Sequence, residues 1–578
     1  MGSPTLIAMK LSLLARQASG RIARLRRPLA FSRGLMGALR GGRSDRLLIA
    51  PQDIRTADPI VADRIYAGHF SLAGKAVDTH GHSPFATAAP SPAWSEALHG
   101  FGWLRHLRAA DTVLARANAR ALVEDWLNLD ARGGSIDRRV AREPRVVARR
   151  LISWLSQSPL ILAAADHVFY RRFLGAIDAH CAALRWALAE GLQGEARLTA
   201  AIALTHAGLC LERGGGLLRR ANQLLSQELA TQILRDGGHV SRNPRILVEL
   251  LLDLLPARQA FVARGIAAPE ALLNAVDGMI PMLRMFRQAD GSLAGFNGMG
   301  ASEPDTLATL LAHGDVGGAA VLEAPYSGYQ RLEAAGAILV ADVGAPPPWA
   351  FSGEAHAGCL SFELSSGGDR LVVNCGAPQP DAPQAREAAR ATAAHSTLVV
   401  DDHSSCRFEP SGSRSIAAGL LVDGPRRVEA TRRRDDDGGQ VLQASHDGYA
   451  RRYAVLHHRA LRLAGDGATL LGEDRLAPFG RGAPPAGKTC AVRFHLHPGL
   501  RVQRDADGLG VLLETPAGER WRFEAEGRPI ALDESVFFAA PGGARPTTQL
   551  VLECALGEIE RLGWSFRRTR PEVAAREA

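Results

Sequence analysis

The chain has 578 residues, of which 46% are apolar and 22% are charged, which is the composition of a globular protein too long for a single hydrophobic core. Its formal charge of +8 falls to −1 once residues 1–44 are set aside, since these hold nine Lys and Arg and no Asp or Glu. Length and composition therefore predict two large domains, and the global charge gives no reason to expect a nucleic-acid partner.

Residues 1–45 form a basic arm in which arginines are interleaved with Leu, Ile and Ala. The pattern fits two alternatives, a basic amphipathic helix in peripheral contact with a membrane and a disordered arm. The apolar run at residues 11–15 is shorter than the h-region of a secretory signal peptide. No segment of the sequence has the apolar length needed to span a bilayer.

Residues 46–325 are predicted to form a helical domain. Between residues 94 and 312, apolar residues recur at helical spacing, and glycines, prolines and short polar loops separate the segments. The clearest predicted helices cover residues 103–128, 144–157, 168–191, 198–212, 217–234 and 269–287. We expect about ten helices in one all-helical domain.

The loop DGGHVSRNP, residues 236–244, joins two of the predicted helices. Its glycines supply the backbone freedom that ends the first helix. Asn243 followed by Pro244 is typical of an N-cap and a first helical residue, so Asn243 has a structural as well as a functional interpretation. His239, Ser241 and Arg242 have no such structural explanation. Loops between rigid helices often carry binding and catalytic groups, so this loop is the first candidate for a functional site.

Residues 326–578 change to short apolar runs with period two, separated by turn-forming residues. The predicted strands include residues 337–343, 360–364, 371–374, 396–400, 491–497 and 510–514. This pattern predicts a large antiparallel β-sandwich. The predicted fold class is therefore a multidomain chain, α and then β.

Short motifs spread along the chain resemble, in their order, those of the heparinase II/III family of polysaccharide lyases. They are AGHF (67–70), LAG (72–74), LHGFGWL (98–104), DGGHVSRNP (236–244), DGSLAGFNG (290–298), SGYQRL (327–332), AHAGCLSF (355–362), AHST (394–397), SHDGY (445–449) and RFHLHP (493–498). The resemblance is greatest to a proteobacterial branch whose substrates are poorly defined. It implies an (α/α) toroid over residues 46–325 and a heparinase II/III-like β-sandwich over residues 326–578.

The resemblance also implies an activity, the cleavage of a uronic-acid-containing polysaccharide or oligosaccharide by β-elimination. That reaction needs groups that neutralise the C5 carboxylate, a base that removes the C5 proton and an acid that protonates the departing O4. His, Asn and Arg suit the first task, and Tyr and His suit the other two. Mapped onto the family pattern, the catalytic candidates are His239, Tyr329, His356 and Tyr449, and the substrate-binding candidates are Arg242, Asn243, Asn297, His395 and His446.

The chain has only six tyrosines, which narrows the choice of base. A free tyrosine has a pKa near 10, and adjacent cations must lower that pKa before the hydroxyl can act as a base at neutral pH. Tyr329, at the predicted domain junction, and Tyr449, which precedes Arg451 and Arg452, are the preferred candidates. Each has the alternative interpretation of a core tyrosine with a satisfied hydroxyl. His395 likewise has both a structural and a functional interpretation.

Some members of the family hold a structural zinc in the sandwich. The positions that correspond to two of its ligands read Gly358 and Asn374 here, so the resemblance implies that the zinc site is lost and that no cofactor is needed. It also implies a location in the cell envelope or periplasm. Seven scattered cysteines, which predict reduced thiols, and the weak signal sequence favour the cytoplasm instead. The sequence leaves the location and the oligomeric state open.

Two rival functions are compatible with the sequence. A protein with this fold can bind carbohydrate or take part in envelope assembly without turnover, and the changed positions Gly358 and Asn374 favour that alternative. A glycoside hydrolase would use a pair of carboxylates, and the acidic residues of the candidate loops form no obvious pair. We therefore expect a lyase first, a silent binding protein second and a hydrolase third.

Overall fold

The structure is a computed structural model that describes residues 45–132, 137–314, 318–413, 415, 417–480, 484–558 and 561–569. The predicted basic arm lies outside the described residues, apart from Asp45. Within the described ranges, no helix combines the length and the apolar character that a membrane span requires.

The chain divides into two compact units. The first contains residues 1–232 and 249–276, and the second contains residues 233–248 and 277–578. The predicted boundary at residue 325 follows the order of helices and strands along the chain. Compactness instead groups the loop at residues 236–244 with the unit that holds the sheets, so all nine candidate site residues belong to the second unit.

Helices dominate the chain up to residue 312 in the described part. They are α1 (Pro59–Tyr66), α2 (Pro92–Gly100), α3 (Leu104–Ala110), α4 (Val113–Arg132), α5 (Arg138–Ala141), α6 (Pro144–Ser156), α7 (Ser158–Leu162), α8 (His167–Ala189), α9 (Glu195–Cys210), α10 (Gly215–Gln232), α11 (Pro244–Ala263), α12 (Glu270–Met285) and α13 (Pro304–Ala312). A short hairpin of β1 (His69–Leu72) and β2 (Lys75–Asp78) lies between α1 and α2.

The predicted helix over residues 103–128 is two helices in the structure, α3 and α4. Asp111 follows α3 with a left-handed backbone conformation, φ 46°, which ends a helix because it cannot continue the hydrogen-bond ladder. The other predicted helices agree with the structure to within a few residues at each end. Aromatic side chains form the core of the helical unit, where Trp126 and Trp154 pack edge to face with ring centroids 5.6 Å apart.

Two large antiparallel sheets form the second unit. The nine-stranded sheet contains β3 (Glu323–Ala324), β4 (Tyr329–Ala334), β5 (Ala337–Asp342), β6 (Phe362–Ser366), β7 (Asp369–Val373), β8 (Leu398–Val400), β15 (Thr489–Leu496), β19 (Ala531–Phe537) and β20 (Arg545–Ala555). The eight-stranded sheet contains β11 (Val428–Arg434), β12 (Gln440–His446), β13 (Val455–Leu463), β14 (Thr469–Pro478), β16 (Arg501–Arg504), β17 (Gly510–Glu514), β18 (Arg520–Ala525) and β21 (Leu562–Thr569). Smaller elements are β9 (Arg407–Phe408), β10 (Leu421–Asp423), α14 (Pro383–Ala389) and α15 (Ala450–Tyr453).

Strand order runs β19-β20-β15-β7-β6-β5-β4-β3 in the nine-stranded sheet, with β8 also paired to β15, and β11-β12-β13-β14-β21-β18-β17-β16 in the eight-stranded sheet. Alternate residues of both sheets meet in one hydrophobic core, where Phe362 and Phe494 of the first sheet contact Trp564 of the second at centroid distances of 5.6 and 4.7 Å. The period-two pattern arises because one face of each strand is buried in this way. The predicted sandwich is confirmed.

Candidate active site

The loop at residues 236–244 ends on a capped helix. Asn243 Oδ1 accepts a hydrogen bond from Arg245 N at 2.9 Å, and α11 begins at Pro244. The N-cap interpretation of Asn243 is therefore correct. The cap occupies only the carbonyl end of the amide. Asn243 Nδ2 is buried and has no hydrogen-bond partner among the described residues, so this end retains two N–H donors.

His239 is a neutral side chain in this loop. Its ring is 1% exposed, and burial lowers its pKa to about 3. Ser241 N donates to Nδ1 at 3.1 Å, so Nδ1 is an acceptor and the neutral ring carries its proton on Nε2. The ring also packs edge to face against Phe351 at 5.9 Å. His239 is therefore arranged as a neutral hydrogen-bond donor and not as a base.

Arg242 uses its whole guanidinium within the protein. Its five N–H groups bond the carbonyl oxygens of Ser327 at 2.6 Å, Gly328 at 3.1 Å, Gly344 at 3.2 Å and Ala345 at 3.0 Å, and Asp342 Oδ1 at 2.5 Å. No donor is left for a substrate carboxylate. The prediction that Arg242 binds substrate does not fit this geometry, because the side chain anchors the loop to the ends of β4 and β5.

Tyr329 and Asn297 are engaged in the same way. The Tyr329 hydroxyl donates to Arg242 O at 2.6 Å and accepts from Asn297 Nδ2 at 2.7 Å. Asn297 Nδ2 also lies 3.2 Å from Asp342 Oδ2, and Asn297 Oδ1 accepts from His356 N at 3.1 Å. Burial raises the pKa of Tyr329 well above its usual value. The predicted roles of Tyr329 as a base and Asn297 as a substrate ligand do not fit this geometry, because their polar atoms are already bonded within the protein.

His356 and His395 form a hydrogen-bonded pair. His395 Nδ1 lies 2.8 Å from Ala391 O, which can only accept, so the His395 proton is on Nδ1. Burial lowers the pKa of His395 to about 4, and burial together with the neighbouring His395 and Arg390 holds the pKa of His356 well below its usual value. His395 Nε2 of the neutral ring then accepts from His356 Nδ1 at 3.2 Å. This series of hydrogen bonds leaves the lone pair of the neutral His356 ring on Nε2.

The two parts of the site meet at the turn formed by Asn297 and Gly298. A Cβ at Gly298 would lie 2.9 Å from Asn243 Nδ2 and 2.9 Å from Glu354 Cβ, so no side chain fits there. Asn297 holds the His356 backbone at the same turn. Asn243 and the His356 backbone therefore lie at one short turn of the second unit.

Tyr449 and His446 lie in other contacts. The Tyr449 hydroxyl donates to Leu398 O at 3.0 Å in the sandwich core, and burial raises its pKa well above the usual value. His446 Nε2 lies 3.3 Å from His457 Nδ1, and His457 contacts the buried Asp474 at 2.7 Å. The predicted catalytic role of Tyr449 and the predicted substrate contact of His446 do not fit these positions, because both side chains satisfy core polar groups.

Sequence reasoning missed Asp342. Its carboxylate is 2% exposed and bonds both Arg242 and Asn297. The available signal was an aspartate at the end of an otherwise apolar strand, a position where a carboxylate needs a partner once it is buried.

A family model described as "Heparinase II/III-like, C-terminal" matches residues 317–565. "FtsZ-localized protein C" of Caulobacter vibrioides (strain NA1000 / CB15N) is 34% identical over 553 residues, which cover 92% of this chain and 90% of that protein. The chain belongs to the heparinase II/III-like family.

Solved structures of heparinase-like lyases share the fold. A mutant of heparan sulfate lyase HepC from Pedobacter heparinus superposes with a TM-score of 0.60 at 15% identity and covers 95% of this chain and 89% of that one. A heparinase III structure gives a TM-score of 0.63 at 14% identity, covering 84% and 79%. The helical toroid and the β-sandwich are therefore those of the heparinase-like fold, and at these identities the similarity concerns the fold alone.

The zinc positions of the heparinase-like sandwich can be tested on the geometry. A Cβ at Gly358 would lie 2.6 Å from His395 Cδ2, and Asn374 Oδ1 accepts from Ser396 N at 3.0 Å, so the three corresponding positions are close in space. Zinc is held by Cys, His, Asp or Glu, and Gly358 and Asn374 offer none of these. No group of three such residues that could hold a metal occurs in the described ranges. The residues do not fit the zinc of the family.

Proposed function

We propose that this chain is a polysaccharide lyase that cleaves a uronic-acid-containing polysaccharide or oligosaccharide by β-elimination, with His356 as the base. The observation that carries the proposal is the hydrogen-bond chain from Ala391 O through His395 to His356, which leaves a lone pair on His356 Nε2. A neutral imidazole with its second nitrogen fixed by a partner is a common form of general base.

One neutral donor at the turn of Asn297 and Gly298 suits the substrate carboxylate. Asn243 Nδ2 has N–H groups without a hydrogen-bond partner among the described residues. Preorganised donors on the C5 carboxylate withdraw charge from C5 and make its proton easier to remove. A buried donor without a partner is costly in a folded protein, so a ligand oxygen that accepts from Asn243 Nδ2 stabilises the complex.

The elimination then needs no tyrosine. His356 Nε2 takes the C5 proton, the C5–H electrons form the C4–C5 double bond, and the C4–O4 bond breaks. The imidazolium of His356 returns that proton to O4, which leaves the base neutral for the next turnover. His239, Asn243 and His356 are 1%, 2% and 6% exposed, so the proposal includes an opening step that admits the sugar.

The test is the ultraviolet absorbance of the unsaturated uronate during incubation with heparan-type, chondroitin, alginate and bacterial acidic polysaccharides. We expect His356→Ala to lower kcat by about 10²–10⁴-fold, the usual range for loss of a general base. Asn243→Ser, which keeps the helix cap and removes the amide donors, should lower kcat by about 10²-fold. Tyr449→Phe is the matched control and should retain activity. Full activity of the His356→Ala variant would refute the assignment of the base.

The second candidate is a carbohydrate-binding or envelope-assembly protein without turnover. The hydroxyls of Tyr329 and Tyr449 favour this second function. Each hydroxyl donates a hydrogen bond to a backbone carbonyl oxygen, so neither can act as a base in this position. The name of the relative, FtsZ-localized protein C, also describes a location and no reaction. Saturable binding of an acidic polymer with no absorbance change on any of the four classes would establish this second function and exclude the first.

We also propose a location in the cell envelope, where such polymers occur. A fusion to a reporter that functions only after export tests it, and a reporter that stays inactive would place the protein in the cytoplasm.

A further inference from the structure

Two of the seven cysteines meet in space, although they lie 64 positions apart in the sequence. Cys490 is the second residue of β15, Cys554 is the second-last residue of β20, and the two residues lie directly opposite each other in the antiparallel ladder. Their Sγ atoms are 3.8 Å apart. We propose that Cys490 and Cys554 form a reversible disulfide by exchange with a small-molecule disulfide. This reaction is independent of elimination at His356.

The backbone at this pair has the spacing that a disulfide needs. Asp401 N donates to Thr489 O at 2.8 Å, so the peptide groups of Thr489 point towards β8 and those of the next residue, Cys490, point towards β20. Cys490 and Cys554 therefore form a hydrogen-bonded cross-strand pair, whose Cα atoms lie about 5.5 Å apart. Disulfides span Cα distances of about 4.4–6.8 Å, so neither strand has to shift for the bond to form.

The two side chains lie on the same face of the sheet and point towards each other. Cys490 Sγ lies 3.4 Å from Cys554 O, and Cys554 Sγ lies 3.7 Å from Cys490 O. A disulfide holds its sulfurs about 2 Å apart, so each sulfur has to move by about 1 Å. Rotation of each side chain by about 30° about its Cα–Cβ bond supplies that movement. Both residues belong to the hydrophobic core of the sandwich, where an uncharged disulfide is readily accommodated.

The pair lies at an open end of the ladder, which gives a reagent access. β19 pairs with β20 as far as Val551, so in the described part of the chain Cys554 is paired to β15 alone. Gly487 and Thr489, at the start of β15, are exposed. Backbone hydrogen bonds at exposed strand ends open at little cost in free energy. Cys554 is 8% exposed and Cys490 is 2% exposed, so Cys554 is the thiol that meets the reagent first.

Two exchange steps with oxidised glutathione balance the reaction. The Cys554 thiolate attacks one sulfur of the glutathione disulfide, the bond between the two glutathione sulfurs breaks, and one glutathione leaves as a thiolate that takes up the thiol proton. The Cys490 thiolate then attacks the Cys554 sulfur of the mixed disulfide, and the second glutathione leaves and takes up the second proton. Two protein thiols are oxidised and one small disulfide is reduced to two thiols, so no further oxidant is required.

The test counts thiols in the full chain before and after the reduced, folded protein is incubated with oxidised glutathione. We expect the count to fall from seven to five. Peptide mapping without reductant should then show one linked pair, which contains Cys490 and Cys554. Because the new bond closes a long loop, the Tm of the second unit should rise by about 5–10 °C, and dithiothreitol should reverse both changes.

Three variants separate this pair from the other thiols. Cys490→Ala should stop at the mixed disulfide and retain glutathione on Cys554, whereas Cys554→Ala should form neither product. Cys181→Ala, which removes a buried thiol of α8, is the matched control and should form the disulfide as the parent does. A thiol count that stays at seven, a linked pair made of other cysteines, or a bond that forms only in denaturant would each overturn the proposal. These outcomes are read on the parent protein, so a variant that misfolds does not decide the result.

Discussion

Arg242 offers the sharpest test of the site, because its predicted and observed roles give opposite results. Arg242→Ala leaves the buried carboxylate of Asp342 with only the Asn297 amide and Gly344 N, and removes the donors to four carbonyl oxygens. Breaking a buried pair from one side costs about 3–5 kcal/mol. Water that enters the vacated space restores part of the lost hydrogen bonding, so we expect a loss of about 4 kcal/mol in local stability.

The measurement is native-state hydrogen exchange with mass spectrometry on peptides from β4 and β5, where the free energy of opening can be read locally. Arg242→Lys keeps the positive charge beside Asp342 and loses the five N–H donors of the guanidinium. The loss of local stability in this variant should therefore be about half as large as in Arg242→Ala. The control is Arg427→Ala, whose partner Glu429 is exposed, and which should change stability by about 0.5 kcal/mol or less. If Arg242→Ala left exchange unchanged and abolished sugar binding, the anchoring argument would be wrong and Arg242 would be a substrate ligand.

Three other predictions follow from single contacts. Tyr449→Phe loses one buried hydrogen bond to Leu398 O and should lower the free energy of unfolding by about 1 kcal/mol without affecting elimination, as denaturant unfolding and the absorbance assay can show. Because burial lowers the pKa of His239 to about 3, the unfolded chain binds its proton below about pH 6.5 and the folded chain does not, so Tm should fall between pH 7 and pH 5, and a constant Tm would contradict the neutral assignment. Gly358→Ala places a Cβ 2.6 Å from His395 and should cost about 1–3 kcal/mol and reduce kcat, whereas unchanged kcat would separate His395 from the chemistry.

The fold was largely predictable because each unit buries one face of regular elements. The strand over residues 510–514 has the same ends in the prediction and in the structure, since turn residues flank a clear alternation. The prediction of a single helix over residues 103–128 is wrong at Asp111. The apolar period continues there, and only the left-handed backbone conformation of Asp111 shows that the helix ends. Sequence periodicity reports which face is buried, and it does not report a change of helix direction.

The site was less predictable because its partners come from distant segments. The Asn243 cap could be read locally, since its partner is two residues away. The acceptors of Arg242 lie 85 to 103 residues away in the chain, and the acceptor of Tyr449 lies 51 residues away. The small number of tyrosines limits the candidates for the base. It does not show whether a tyrosine hydroxyl already donates a hydrogen bond to a backbone carbonyl.

The anchoring of Arg242 has a practical consequence for anyone who wishes to produce the sandwich alone. The family model begins at residue 317, whereas the compact unit also contains residues 233–248. A fragment cut at residue 317 keeps Asp342 and loses the guanidinium that neutralises it, so the fragment begins folding with an unpaired charge in its interior. We expect such a fragment to be poorly soluble, and a fusion that joins residues 233–248 through a flexible linker to the excised strands to recover a soluble product.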